Sequence, residues 1–227
     1  MQNKTINTKV IAKVAKALKE LNNEIVFVGG AVISLYTDDP AADEIRPTGD
    51  IDLMVKLSSF SEWNQLNAKL LELGFTPNPD SKIICNYLYE DVEIDIMPSQ
   101  DSQIGISNSW YAPGLSSIIE KKLDDVVVRL LSAPYFIATK FEAFHNRGKD
   151  YRTSHDFEDI IYVIDHCEDI VELMKNAEDP LKTFLTNEIK TILNNPFSIE
   201  IISAHIHPLM LEERLEIVLD KLNNIIS

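Results

Sequence analysis

With 227 residues, 45% of them hydrophobic and 25% charged, the chain has the composition of a soluble globular protein with room for one large domain or two small ones. Its formal net charge of −15 excludes a broad electrostatic surface for duplex nucleic acid, although a local basic pocket answers to its own neighbours. No apolar signal core opens the sequence, no run reaches membrane-spanning length, and Cys85 and Cys167 form no CxxC pattern. The expectation is a cytoplasmic protein with buried thiols and no membrane partner.

From about Thr8 to Leu21, Val10, Ile11, Val14, Ala17, Leu18 and Leu21 recur at helical spacing with lysines on the other face. This predicts an amphipathic helix stopped by Asn22-Asn23. Ile25-Val-Phe-Val28 is too short for a helix and reads as a buried strand. Gly29-Gly30 follows directly, and Ala31–Tyr36 reads as a helix. Strand, glycine pair and helix together can expose backbone N–H groups to a phosphate, although such a pair is also an ordinary tight turn. Ser34 could reach that phosphate or bond its own helix backbone.

A polar loop from Asp38 to Pro47 delivers Arg46 and Thr48 to the run Asp50-Ile-Asp-Leu-Met-Val55. The alternation there puts Ile51, Leu53 and Val55 on one face and Asp50, Asp52 and Met54 on the other. Two acids side by side repel each other, and a hard divalent cation held by carboxylates and phosphates would resolve the repulsion. A solvated outer face is the competing reading. Ser58–Leu73 predicts a second amphipathic helix with Phe60, Trp63, Leu66, Leu70 and Leu73 buried and Gly74 as its stop.

Lys82–Tyr89 and Val92–Met97, around a Glu90-Asp91 turn, read as a hairpin whose second arm again sets acids, Glu93 and Asp95, against branched aliphatics. If the two acidic strands are neighbours, Asp95 or Glu93 joins Asp50 and Asp52. Ser99–Pro113 reads as a loop, and Ile118–Leu131 as a further hairpin turning at Asp124-Asp125. From Ser132 onward the pattern is helical. Pro134–Arg147 places Phe136, Lys140, Ala143, Phe144 and Arg147 on one face, so that Lys140 either snorkels to solvent or has an anionic partner. Thr153 with Asp156 matches a capping box opening the next helix. His205 and His207 alternate and could bind metal, although two isolated histidines are more often plain surface or core residues.

The order Gly29-Gly30, Asp50-x-Asp52, Asp95, then Thr139-Lys140 and Asp156-x-x-Asp159, over roughly residues 25–165, resembles the nucleotidyltransferase superfamily with a polymerase-β-like core. Within it, the second half is similar to the AbiEii-type family, the toxins of abortive-infection systems. Many members of that family carry a lysine where this chain has His155, a departure on the acceptor side of the site. The resemblance implies an α+β fold, a mixed sheet flanked by helices in residues 1–131 and an all-helical region in 132–227.

It further implies an NTP-dependent, Mg²⁺- or Mn²⁺-dependent enzyme that moves a nucleoside monophosphate to a hydroxyl acceptor, whether RNA, protein or small molecule, with a cognate antitoxin as a partner. Asp50, Asp52 and Asp95 would hold the metal, Asp95 serving also as base, in a two-metal arrangement of the in-line displacement type. Gly29, Gly30 and Ser34 would hold the triphosphate, with Arg46, Thr48, Asp156 and Asp159 on the nucleotide. Lys140, its ammonium at the cleft mouth near Gly29 and Gly30, would neutralise the leaving pyrophosphate. Two other readings compete: a non-catalytic nucleotide- or partner-binding module, and an aminoglycoside-type small-molecule nucleotidyltransferase.

Overall fold

The computed structural model describes all residues except 1, 41, 43, 44, 58 and 101–106, and for 2–6 the backbone only. Parts of the two predicted loops (41, 43, 44 and 101–106) and the first residue of the second predicted helix therefore lie outside the described residues. The chain forms two compact units: Met1–Leu35 with Glu44–Ser132, and Tyr36–Asp43 with Ala133–Ser227.

The first unit is built on a seven-stranded mixed sheet. Its strands are β1 (Ile25–Val28), β2 (Asp50–Val55), β3 (Thr76–Pro77), β4 (Asn86–Tyr89), β5 (Val92–Pro98), β6 (Ile118–Leu123) and β7 (Val126–Leu131), in the order β3-β4-β5-β2-β1-β7-β6. The β2–β5 and β1–β7 pairs are parallel and the remaining pairs antiparallel. All four residues of β1 are buried, as a central strand covered on both faces requires. The fold is thus α+β, as the pattern implied.

Helix α1 (Gln2–Leu18) buries Ile11, Val14, Ala15 and Leu18. It begins earlier than its apolar stripe and passes into a 3₁₀ turn, Lys19–Asn23. Asn22 is part of that turn and buried, its side-chain amide donating to the Val127 carbonyl at 2.7 Å. Lys13 reaches the β4–β5 turn, 2.7 Å from Glu90 and 2.8 Å from Asp91, and Lys16 pairs with Asp125 in the β6–β7 turn.

Helix α2 (Phe60–Glu72) is capped by the Ser59 hydroxyl, which accepts from the Glu62 N–H at 3.2 Å. It buries Trp63, Leu66 and Leu70, each contributing about 1.5–3 kcal/mol if fully withdrawn from water. Phe60, expected in that stripe, sits in the first turn and is exposed.

The first predicted arm of the 82–97 hairpin is shorter than the sequence suggests. Only Asn86–Tyr89 pair as a strand, because Ile83 and Ile84 occupy an exposed turn closed by the Asn86 N–H on the Ile83 carbonyl. A four-residue helix, α3 (Tyr111–Gly114), interrupts the predicted 99–113 loop.

In the second unit every regular element is helical among the described residues: α4 (Ala133–Arg147), α5 (His155–His166), α6 (Ile170–Lys175), α7 (Asp179–Leu193), α8 (Ser198–Ser203) and α9 (Leu211–Ile226), with 3₁₀ turns at Tyr151–Thr153 and Pro208–Met210. The predicted capping box at Thr153 and Asp156 does not form. Ser154 caps α5 by accepting from the Phe157 N–H at 3.3 Å, which leaves the Asp156 carboxylate free for other partners.

The C-terminal carbonyls of α5 are met by a cation, as the helix dipole favours: Lys221 donates to Ile164, Asp165 and Cys167 at 3.0, 2.8 and 2.9 Å. Arg214 joins Asp165 (2.7 Å) to Asp39 (2.8 Å), and the backbone N–H groups of Asp38 and Asp39 donate to the His166 carbonyl. These bonds, with the Tyr36–Phe136 ring contact at 4.6 Å, explain why residues 36–43 belong to the helical unit although the chain on either side belongs to the sheet. His205 and His207 are not a metal pair: the first bonds the Tyr151 carbonyl at 2.7 Å, the second accepts from the Leu209 N–H.

A three-carboxylate candidate site

β2 and β5 run parallel with Asp52 opposite Asp95 and Asp50 opposite Glu93, so their acids share one face of the sheet. One carboxylate oxygen from each of Asp50, Asp52 and Asp95 lies within 4.8 Å of the others. Met54 lies farther along the same face and is fully buried. That face is covered at Met54 and open at the start of β2, where Asp50 is exposed and Asp52 half-buried.

Gly29 forms the wall behind Asp52. Its φ of +73° is left-handed, and a Cβ built there would lie 1.7 Å from Asp52 Oδ2. Only glycine meets both demands. The segment after it is a six-residue 3₁₀ turn, Gly30–Leu35, and not the α-helix expected. Ser34, expected to face a phosphate, is 97% buried within that turn. Arg46 and Thr48 are half-buried in the segment that leads into β2.

Across β5, on the side away from β2, Asn86 of β4 pairs with Asp95. Its amide donates to Asp95 Oδ1 at 2.7 Å and to Glu93 Oε1 at 2.8 Å. Burial pushes the Asp95 carboxyl above its ordinary value, the Asn86 bond pulls it back, and the charges of Asp50 and Glu93 add to the rise. The neighbouring thiol of Cys85 is pushed up to about 11 by burial and then by the Asp95 charge, and Cys167 is likewise a buried thiol.

The donor set fits a hard divalent cation. It consists of oxygen ligands alone, and metal–oxygen bonds of about 2.0–2.6 Å span carboxylates this close together. Three anions on a partly buried face also lower their mutual repulsion when a cation lies between them.

The second sequence constellation is assembled within the helical unit. Lys140 is 94% buried, its ammonium 2.6 Å from Asp159 and 3.5 Å from Asp156 and 5.6 Å from the Phe136 ring centre. Asp156 also receives both arms of the Arg147 guanidinium, at 2.7 and 2.6 Å. Its carboxyl is held below its ordinary value: burial works against this, but Arg147 and Lys140 together outweigh burial.

The expectation that the acidic strands and a triphosphate supply the anion for Lys140 is therefore corrected, since α5 supplies two carboxylates. Nor does Lys140 snorkel. Asp156 and Asp159, expected on the nucleotide, are committed to these cations. Lys140→Met is expected to cost about 3–5 kcal/mol of stability, because it leaves buried carboxylates with one cation fewer. Urea unfolding at pH 7 measures this. Asp156, whose folded value is depressed, contributes stability above its unfolded value that is lost as pH falls through the folded one. The difference between variant and wild type should therefore shrink in acid.

Sequence reasoning did not single out Asn86, the contact between Gly29 and Asp52, or the Arg214 network. For Asn86 the signal was present: a two-residue turn at Glu90-Asp91 sets residue 86 opposite residue 95.

These features define a nucleotidyltransferase-like fold carrying an acidic cluster on its central strands. The structure superposes on the crystal structure of an antigenic nucleotidyltransferase-like protein from Paracoccidioides brasiliensis with a TM-score of 0.54, over 90% of this chain and 95% of that one, at 20% sequence identity. At that identity the likeness establishes the fold. No protein-family profile and no curated protein matches the sequence. No helix among the described residues is long and apolar enough to cross a membrane.

Proposed function

We propose that this protein is a metal-dependent nucleotidyltransferase that moves a nucleoside monophosphate from an NTP to a hydroxyl acceptor. The observation that carries the reading is the convergence of Asp50, Asp52 and Asp95 on one open strand end, with Gly29 packed against the Asp52 carboxylate. A cluster of this kind has no structural need to exist, since its members repel each other in the fold that brings them together.

In this reading Asp50, Asp52 and Asp95 hold Mg²⁺ or Mn²⁺, which supplies Lewis-acid charge to the phosphate oxygens when bound. The acceptor oxygen attacks the α-phosphorus, its proton passes to Asp95, and the bond to the β-phosphate oxygen breaks to release pyrophosphate. Gly29 and Gly30 keep side chains away from the triphosphate path. The AbiEii-type assignment and a toxin role with a cognate antitoxin belong to the same proposal, on the strength of the Thr139-Lys140 and Asp156-x-x-Asp159 motifs.

The test is to incubate the purified protein with each α-labelled NTP, with and without Mg²⁺, and with cellular RNA, protein extract or an aminoglycoside as acceptor. Cation-dependent pyrophosphate release with label on one acceptor class is expected. Nucleotide binding without release under every condition favours a non-catalytic module instead. Label on the aminoglycoside alone favours the small-molecule enzyme.

A further inference from the structure

Asn86 is an odd residue for its position. It lies inside a strand, where asparagine is disfavoured, and it is 96% buried, where an apolar side chain would serve the sheet better. Among the described residues its Oδ1 has no hydrogen-bond partner, so the position carries an unmet polar atom. What this offsets is visible on the other side of the amide. Both N–H groups go to carboxylates, one to Asp95 Oδ1 and one to Glu93 Oε1. Bonds to an ionised acceptor are roughly twice as strong as neutral ones and fix the acceptor's rotation.

Asn86, Asp95 and Asp52 form one row across β4, β5 and β2. Adjacent strands are about 4.8 Å apart, so Asp95 has the amide on one flank and the Asp52 carboxylate on the other. Without the amide, the nearest acids of its own strand and of β2 would repel the Asp95 carboxylate toward β4.

We propose that Asn86 is a positioning residue for this cluster, holding the Asp95 carboxylate in the orientation in which it binds a divalent cation together with Asp50 and Asp52. Glu93, held by the second N–H, is kept from displacing Asp95. The inference rests on the reading of the cluster as a cation site and adds to it a residue outside the three acids. Asn86 touches neither the cation nor the substrate, and it acts through Asp95.

The experiment measures Mn²⁺ binding to the nucleotide-free full-length protein, by the electron paramagnetic resonance signal of free Mn²⁺. Three proteins are compared: wild type, Asn86→Leu, which keeps the branched outline of the side chain and loses both donors, and Asn86→His, whose ring N–H sits at the same reach as the amide. Loss of an outer partner of a metal ligand weakens affinity by about 10–100-fold. That loss is expected for Asn86→Leu, with Asn86→His staying within about threefold of wild type. The Mg²⁺ concentration for half-maximal pyrophosphate release should rise by the same factor in Asn86→Leu, with the rate recovering at saturating Mg²⁺. A merely structural defect would lower the rate at every Mg²⁺ concentration.

Circular dichroism verifies folding, and Asn86→Thr, whose hydroxyl falls one bond short of the amide's reach, replaces the leucine variant if that one does not fold. Wild-type binding with unchanged affinity in Asn86→Leu overturns this inference alone, as does equal loss in the leucine and histidine variants. A wild-type protein that binds no Mn²⁺ overturns the cation-site reading itself.

Discussion

Asp50→Asn is expected to lower Mg²⁺-dependent pyrophosphate release by more than about 100-fold, since loss of even an outer partner of a metal ligand costs 10–100-fold. The fold should survive. Asp50 is exposed at the start of β2, and its amide replacement has the same shape. The same substitution should raise the melting temperature of the metal-free protein. The charge of Asp50 is one of those that lift the Asp95 carboxyl above its ordinary value. A folded state that binds a proton more tightly than the unfolded chain loses that stability as pH rises through the folded value, so at neutral pH the ionised cluster is a cost.

Removing one anion lowers the cost, and adding Mg²⁺ to the wild type lowers it by another route. Thermal unfolding at pH 7.5 with and without Mg²⁺ should therefore show a cation-induced rise in wild type that is much reduced in Asp50→Asn. Full turnover by the variant would remove Asp50 from the site.

Gly29→Ala carries the second large effect. Its new Cβ would sit 1.7 Å from Asp52 Oδ2, an overlap that no rotamer of alanine can relieve, so the Asp52 carboxylate or the β1 end must move. The left-handed φ adds about 1–2 kcal/mol of strain. Displacing a catalytic group by about 1 Å can cost 10²-fold in rate, and a loss of that order in kcat/KM is expected. Gly74→Ala is the control. That glycine also has a left-handed φ, but a Cβ there meets nothing nearer than Tyr89 Cε2 at 3.9 Å. It should lose stability through the backbone term and keep its turnover. Equal activity in the two alanine variants would separate the glycine wall from the chemistry.

Much of the frame was legible in the residues. Period-two alternation in Asp50–Val55 and Val92–Met97 identified two strands and put their acids on common faces, because side chains on a strand can point only two ways. A two-residue turn set the β6–β7 hairpin at Asp124-Asp125, and the shift to helical spacing after Ser132 marked the helical unit. The errors fell where local pattern and packing disagree. Gly30–Leu35 carries helix-compatible residues but is confined to a 3₁₀ turn. Ile83 and Ile84 extend a β-like run, yet among the described residues no strand pairs there, and they remain exposed.

By itself the sequence determined which residue types stand at the ends of which strands, since periodicity and turn chemistry are local properties of the chain. Tertiary structure decided what those residues face. The parallel register of β2 with β5 joins acids 43 positions apart, and no spacing within either strand encodes that register. The partners of Lys140 were likewise open on the helix that carries it, where solvent, phosphate and carboxylate were all compatible with a lysine in an apolar stripe. Packing of α4 on α5 chose Asp159 and Asp156, because a buried ammonium must find its counter-charge within a few ångströms and those two carboxylates are the ones the fold brings there.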